Sequence, residues 1–155
     1  MKIFRKNENA IRPTFTNHKD AVFNIKACFN LGDKIHLLNP LNKQTFIPAK
    51  NVNSKTVVQI YPQQRMLIPT GLVFDIPDDR VLKLYSHPDI SKSKGLILLA
   101  GIELVRSGNN DEVHVMITNI TDGVALIETG ENIALGQLEK MLEYSITELP
   151  SNDVA

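Results

Sequence analysis

The chain has 155 residues, 43% hydrophobic and 22% charged, with Lys plus Arg and Asp plus Glu balanced at 17 each. Those values describe one soluble globular domain with enough chain for a real core. The balanced charge gives no reason to expect a nucleic-acid or anionic-membrane partner, and a single cysteine excludes an internal disulfide and a CxxC metal site.

In chain order, the opening "MKIFRKNENAIRP" carries cations but no apolar h-region, so no signal peptide is expected and residues 1–12 read as an arm. "AVFNIKACF" alternates, with Val22, Asn24 and Lys26 on one side and Phe23, Ile25 and Ala27 on the other, and Cys28 reads as a buried thiol. "KIHLL", "TFIPA", "KTVVQIY", "RMLIPTGLVFDI", "RVLKLY", "GLILLAGI", "EVHVMITNI" and "VALIETG" follow as short β-rich segments. Turn formers such as "LGD", "NP", "IPTG", "IPDD" and "SGNND" punctuate them. Many short strands at close intervals predict an all-β barrel or jelly roll rather than an α/β fold. Two helix candidates stand out: "HPDISKSKG", and "ALGQLEKMLEY", which has some 3.6-residue periodicity but contains Gly136. "GLILLAGI" is too short to cross a bilayer, and the polar tail, residues 146–155, closes the single domain.

His18, His36, His87 and His114 show no ligand spacing, so a zinc site is not expected. Asp75, Asp78 and Asp79 read as a solvated turn, and the phosphate loops GxxxxGK and GxGxxG are absent from the sequence.

From Asn51 onward the order of segments resembles the dUTPase family. "RMLIPTGLVFDIP" is similar to the family's bend, Pro-Thr-Gly and edge strand. The stretch from Leu82 to Glu139 can be laid on the family without gaps, ending in "GENIALGQLEK" against a Gly-x-x-Ile-Ala-Gln-Gly-x-Leu pattern of phage-encoded type. "HKDAVFNIKA" resembles the first family motif, Asp-Ala-Gly-Tyr-Asp-Leu-x-Ala, and residues 31–56 form an inserted segment. The resemblance implies a jelly-roll β-barrel, a homotrimer with sites at subunit boundaries, and magnesium-dependent hydrolysis of dUTP to dUMP and pyrophosphate.

The positions that carry this chemistry in the family are altered here. Asn24 stands for the metal-associated Asp and Val22 for a Gly. Ser86, His87, Pro88 and Asp89 stand for Pro-Arg-Ser-Gly, the phosphate cradle. Ala100 replaces the uracil-reading Asn, Arg106 the carboxylate that activates water, and Gly108 and Asn109 the following Asp and Tyr. Leu135 replaces the Gln of the fourth motif, and the Gly-rich C-terminal arm has no counterpart after Glu139.

Cleaving a diphosphate with water takes a base, a divalent ion and well-placed cations. A guanidinium cannot serve as that base, an amide brings no charge to a metal, and a proline removes a donor. Pro69-Thr70-Gly71, Gly95-Leu96 and the alternation of Val113, Val115 and Ile117 keep the architecture meanwhile. The expectation is therefore a trimeric, non-catalytic structural or binding module, foremost a phage capsid decoration or cement protein, with capsid or other virion partners. Its expected place is the virion surface or the host cytoplasm. No cofactor is expected, magnesium entering only if a divergent diphosphatase, using Glu103, Asp111 or Glu112, survives instead; a regulatory partner-binding role is the other alternative. Residues 1–12 and the inserted segment would then be contact surfaces.

Overall fold

The computed structural model describes residues 1–17 and 19–151. His18 and positions 152–155 of the expected tail lie outside them. The elements are β1 (Lys2–Arg5), β2 (Phe23–Lys26), β3 (Lys34–Leu38), β4 (Gln44–Pro48), β5 (Lys50–Val52), β6 (Lys55–Ile60), β7 (Arg65–Pro69), β8 (Leu72–Asp75) and β9 (Arg80–Ser86). After them come helix α1 (Pro88–Lys94), β10 (Leu96–Leu98), β11 (Ile102–Arg106), β12 (His114–Asn119), β13 (Ala125–Glu128) and β14 (Asn132–Lys140). Among the described residues the chain is all-β apart from one short helix, as the punctuation of the sequence predicts.

Four antiparallel groups of strands wrap one core. Their orders are β10-β12-β7-β3-β4, β11-β9-β14-β2, β13-β6-β5 and β1-β8. Alternation decides which residues point inward: along β2, Phe23 and Ile25 are buried while Asn24 and Lys26 are half-buried on the other face. Ile25, Ile60, Ile68, Leu82, Leu84, Leu96, Ile117 and Ile127 are fully buried. Each such side chain contributes about 1.5–3 kcal/mol relative to exposure, so the core holds the barrel. The segment 31–56 shares in it, because Ile35, Leu37 and Ala49 are buried while Leu41 and Phe46 are exposed.

The Pro69-Thr70-Gly71 bend joins β7 to β8. Thr70 is buried and its Oγ1 donates to the Val113 carbonyl at 2.7 Å. Gly71 takes φ +69°, and a Cβ there would stand 2.8 Å from Ala10 Cβ. Its carbonyl accepts Lys6 N at 2.8 Å, so a side chain at 71 would push the N-terminal arm off the barrel.

Two readings of the sequence need correction. "ALGQLEKMLEY" is not helical: residues 132–140 are the longest strand, hydrogen-bonded to β9 on one side and β2 on the other. Gly136 fits there because Phe23 of β2 fills the space its side chain would take, with Cε2 2.6 Å from an ideal Cβ. Packing on both edges overrides a helical pattern already weakened by that glycine. The arm also holds a strand, β1, paired residue for residue with β8. The candidate at "HPDISKSKG" is helix α1, and His87 is its N-cap.

Candidate functional site

The altered positions fall into two groups on opposite edges of one sheet. Asn24 lies on β2, one edge of the order β11-β9-β14-β2. Leu135 on β14 stands directly beside it and opposite Tyr85 of β9. β9 runs on through Ser86 to His87, whose ring turns back over Asn24, with Nε2 2.9 Å from Asn24 Oδ1. Asn24, His87 and Leu135 thus form one cradle.

Hydrogen bonds fix the chemical state of that cradle. His87 Nδ1 accepts from Asp89 N at 3.2 Å, capping α1, so the ring proton resides on Nε2 and is donated to Asn24 Oδ1. Asn24 Nδ2 in turn donates to Thr16 Oγ1 at 3.2 Å, and its backbone N donates to the Thr14 carbonyl at 2.9 Å. Pro88 opens the helix at the position where a missing N–H costs nothing, and it is exposed with Asp89. The place that the resemblance assigns to an ionised carboxylate and a guanidinium is closed by a neutral amide, a neutral imidazole and two threonines.

Ala100, Arg106 and Asn109 belong to the other edge. All three are exposed, Ala100 in the turn before β11 and Arg106 at the end of β11, opposite Val81 of β9. Asn109 N donates to the Arg106 carbonyl at 3.3 Å and its Oδ1 accepts Asp111 N at 2.9 Å, closing the turn. With β9 and β14 between them, β11 and β2 are three strand spacings apart, roughly 14 Å. Within the chain Arg106 and the Asn24–His87 pair therefore do not meet.

Glu103 is the one acid of the β11 hairpin with a distinctive environment. Its half-buried carboxylate accepts Met116 N at 2.9 Å, satisfying β12 just beyond its pairing with β10. Burial pushes its pKa above the ordinary range, against the opposing effect of that hydrogen bond. Asp111 is exposed, and Glu112 Oε2 lies 3.3 Å from His114 Nε2. Magnesium demands near-octahedral oxygen ligands and is held through carboxylates. Asn24 Oδ1 is already engaged by His87, and among the described residues no three His, Cys, Asp or Glu side chains gather in a metal-binding group. The described residues of this chain do not fit the ion.

Thr14 and Thr16 complete the cradle, and sequence reasoning passed over them. Only the length of chain between them and Asn24, a loop able to fold back on its own strand, offers a hint.

His87 has a pH consequence. Burial, its largest influence, lowers its pKa below the ordinary 6.5; Asp89 opposes that shift and the Lys26 charge adds to it. The unfolded chain therefore binds the proton more readily than the folded one, and stability is lost as pH falls from about 6.5 through the folded pKa. Thermal unfolding of His87→Gln is expected to show a weaker decline over that window than the unmodified protein. Equal declines would mean that His87 does not titrate in this way.

Solved structures of dUTPases share this fold. Dutpase from Streptococcus mutans superposes with a TM-score of 0.68 at 16% identity, covering 94% of this chain and 99% of that one. The dUTPase of Staphylococcus bacteriophage 80alpha gives 0.71 at 16% identity, covering 96% and 94%. No family model matches the chain. Among curated proteins, the deoxyuridine 5'-triphosphate nucleotidohydrolase of Chlamydia muridarum is 29% identical over 96 residues, 62% of this chain and 66% of its own length. That of Aquifex aeolicus is 32% identical over 77 residues, 50% and 51% of the two chains. The chain thus spans just under two thirds of the Chlamydia relative and about half of the Aquifex one. The chain has the dUTPase fold, and the proteins it is similar to are bacterial and phage dUTPases.

Proposed function

We propose that this protein uses the dUTPase fold as a homotrimeric binding module instead of a hydrolase, and that it decorates or cements a viral capsid. The hydrogen bond from His87 Nε2 to Asn24 Oδ1 carries the reading. It commits the metal-side position to a neutral partner within the chain, and by the sequence resemblance Arg106 replaces the carboxylate that would take the proton from water. Losing a single preorganised group from such a site costs about 100- to 1000-fold in rate, and here several are replaced together. Phage dUTPases of Staphylococcus are described as controlling transfer of virulence genes by a G protein-like mechanism. That is a property of those proteins, and it supports a role exercised through binding.

Purified protein incubated with magnesium and each deoxynucleoside triphosphate is expected to release no pyrophosphate above background. Turnover at ordinary enzyme rates, about 1–1000 per second, would refute the non-catalytic reading. The decoration role is tested separately by looking for the protein in purified particles, and its absence there refutes that role.

Hydrolysis of dUTP is the second reading. The curated relatives carry that name, and Glu103 is a half-buried carboxylate with a raised pKa. Its bond to Met116 N ties it to β12, which favours a structural duty. If pyrophosphate were released, abolition by Glu103→Gln would identify it as the base.

A further inference from the structure

The five-stranded sheet ends on β4, which pairs with β3 and with no other described strand. Asn39 N donates to the Lys43 carbonyl at 3.0 Å and Ala49 N to the Asp33 carbonyl at 2.8 Å, so Lys43 and Ala49 hold hydrogen-bonded positions of the ladder. Alternation then gives Thr45 and Ile47 to β3 and turns the main-chain groups of Gln44, Phe46 and Pro48 outward. Gln44 and Phe46 each present an N–H and a C=O there, and Pro48 a carbonyl alone. The hairpin that carries this edge is held in place beforehand. The Arg65 guanidinium donates to the Asn39 carbonyl at 3.1 Å and to the Asn42 side chain, while Asn39 Oδ1 accepts Leu41 N and Lys43 N at 2.9 Å.

Both faces of the edge have room for an added strand. On the inward face a cavity of about 170 Å³ opens between β4 and β6, lined by Leu37, Ile47, Gln59 and Tyr61. A cavity of about 150 Å³ has room for benzene, so this one takes a single apolar side chain of that size. On the outward face Phe46 is 61% exposed, its ring stacked on His36 with centroids 5.2 Å apart. Charge is sharply segregated around it. Residues 34–74 carry Lys34, Lys43, Lys50, Lys55 and Arg65 and none of the chain's 17 Asp and Glu side chains. Lys34, Lys43 and Lys50 flank the edge, are exposed, and join no ion pair among the described residues. Lysines at both ends oppose pairing with the same edge of a second copy, and they favour a strand that brings carboxylates.

We propose that the free edge of β4 receives an extended, acidic segment of a partner protein, which adds as a further strand to the sheet and places one apolar side chain in the cavity beside Ile47. Main-chain bonds to Gln44 and Phe46 supply affinity, the cavity selects an apolar residue, and the lysines select carboxylates at the segment's ends. Unpaired N–H and C=O groups in strand spacing match a polypeptide and have no counterpart ladder in a nucleic acid. The inference rests on the binding-module reading and names the partner's chemistry. It is read by peptide titration, so it can fail while pyrophosphate release and particle content bear that reading out, and the reverse.

The probe is a fluorescent nine-residue peptide, Glu-Glu-Val-Thr-Leu-Thr-Val-Glu-Glu, titrated into the full chain beside a counterpart with Lys at the four Glu positions. The acidic peptide is expected to bind with Kd below about 1 mM and at least about tenfold more tightly than the basic one. The amide NMR signals of Gln44 and Phe46 are expected to move most. Lys43→Glu with Lys50→Glu, both at exposed positions, should reverse the preference between the two peptides. Phe46→Pro removes one outward N–H at an edge, where proline is tolerated, and should weaken the acidic peptide about tenfold. Should that variant fail to fold, the lysine exchange decides alone. No binding of the acidic peptide, a preference unmoved by the lysine exchange, or largest shifts at the Asn24–His87 cradle would each overturn the proposal. So would equal binding of an oligonucleotide of the same charge, or dimerisation of the chain through β4 itself.

Discussion

Replacing Asn119 with Ala is expected to lower the stability of the fold by about 3 kcal/mol or more, because its amide ties the end of β6 to the turn over residues 121–123. The side chain is fully buried. Nδ2 donates to the Ile60 carbonyl at 2.9 Å and the Gly123 carbonyl at 2.7 Å. Oδ1 accepts from Thr121 N at 2.9 Å and Thr121 Oγ1 at 2.7 Å. Truncation leaves buried donors and acceptors unpaired, each worth about 1–3 kcal/mol. Asn119→Asp should fare no better at neutral pH, since it turns two donated bonds into a carboxylate facing two carbonyl oxygens. Urea unfolding reads the effect as a lower midpoint with an unchanged slope. A loss below about 1 kcal/mol would show that the loops do not depend on this amide.

The second large effect is expected at Gly95, the cap of α1. Gly95 adopts φ 65° and ψ 32°, and its N–H closes the helix on Ile90 and Ser91 carbonyls. A Cβ there would collide with Cγ2 of Thr121. Gly95→Ala therefore combines left-handed strain of about 1–2 kcal/mol with overpacking of about 1–3 kcal/mol. Thr121→Ser removes the obstructing methyl and keeps the hydroxyl that bonds Asn119. The pair should recover the overpacking share alone, leaving the conformational strain. Full recovery would place the whole cost in the collision, and none would place it in the backbone.

How far the sequence could be read depended on the range of the interaction. Alternation along Phe23, Ile25 and Ala27 predicted the buried face of β2 because side-chain direction is local, and all three are buried. α1 was legible from Pro88 at its start and Gly95 just past its end. β14 was not, since its partners β9 and β2 come from distant parts of the chain and the space beside Gly136 is filled by Phe23. β1 and the short β5 were missed for the same reason: their pairing, not their composition, makes them strands. In the site, the identities of Asn24, His87 and Arg106 could be read by resemblance, but a bond between residues 63 apart could not. Nor could the position of Glu103 against Met116, which follows from the end of the β10 ladder.

The separation of Asn24 and His87 on one margin of a sheet from Arg106 on the other has a historical consequence on the proposed reading. Each replaced group is supported by its own neighbours, Thr16 and Asp89 in one place and the Asn109 turn in the other. Substitutions at such separate places add in their effects on stability, but hydrolysis needs the groups of both margins at once. A lineage that returned a carboxylate to one margin would gain nothing until the other had reverted too, so selection would find no uphill path back. Descent through such a barrel works as a ratchet, turning toward partnership and away from chemistry.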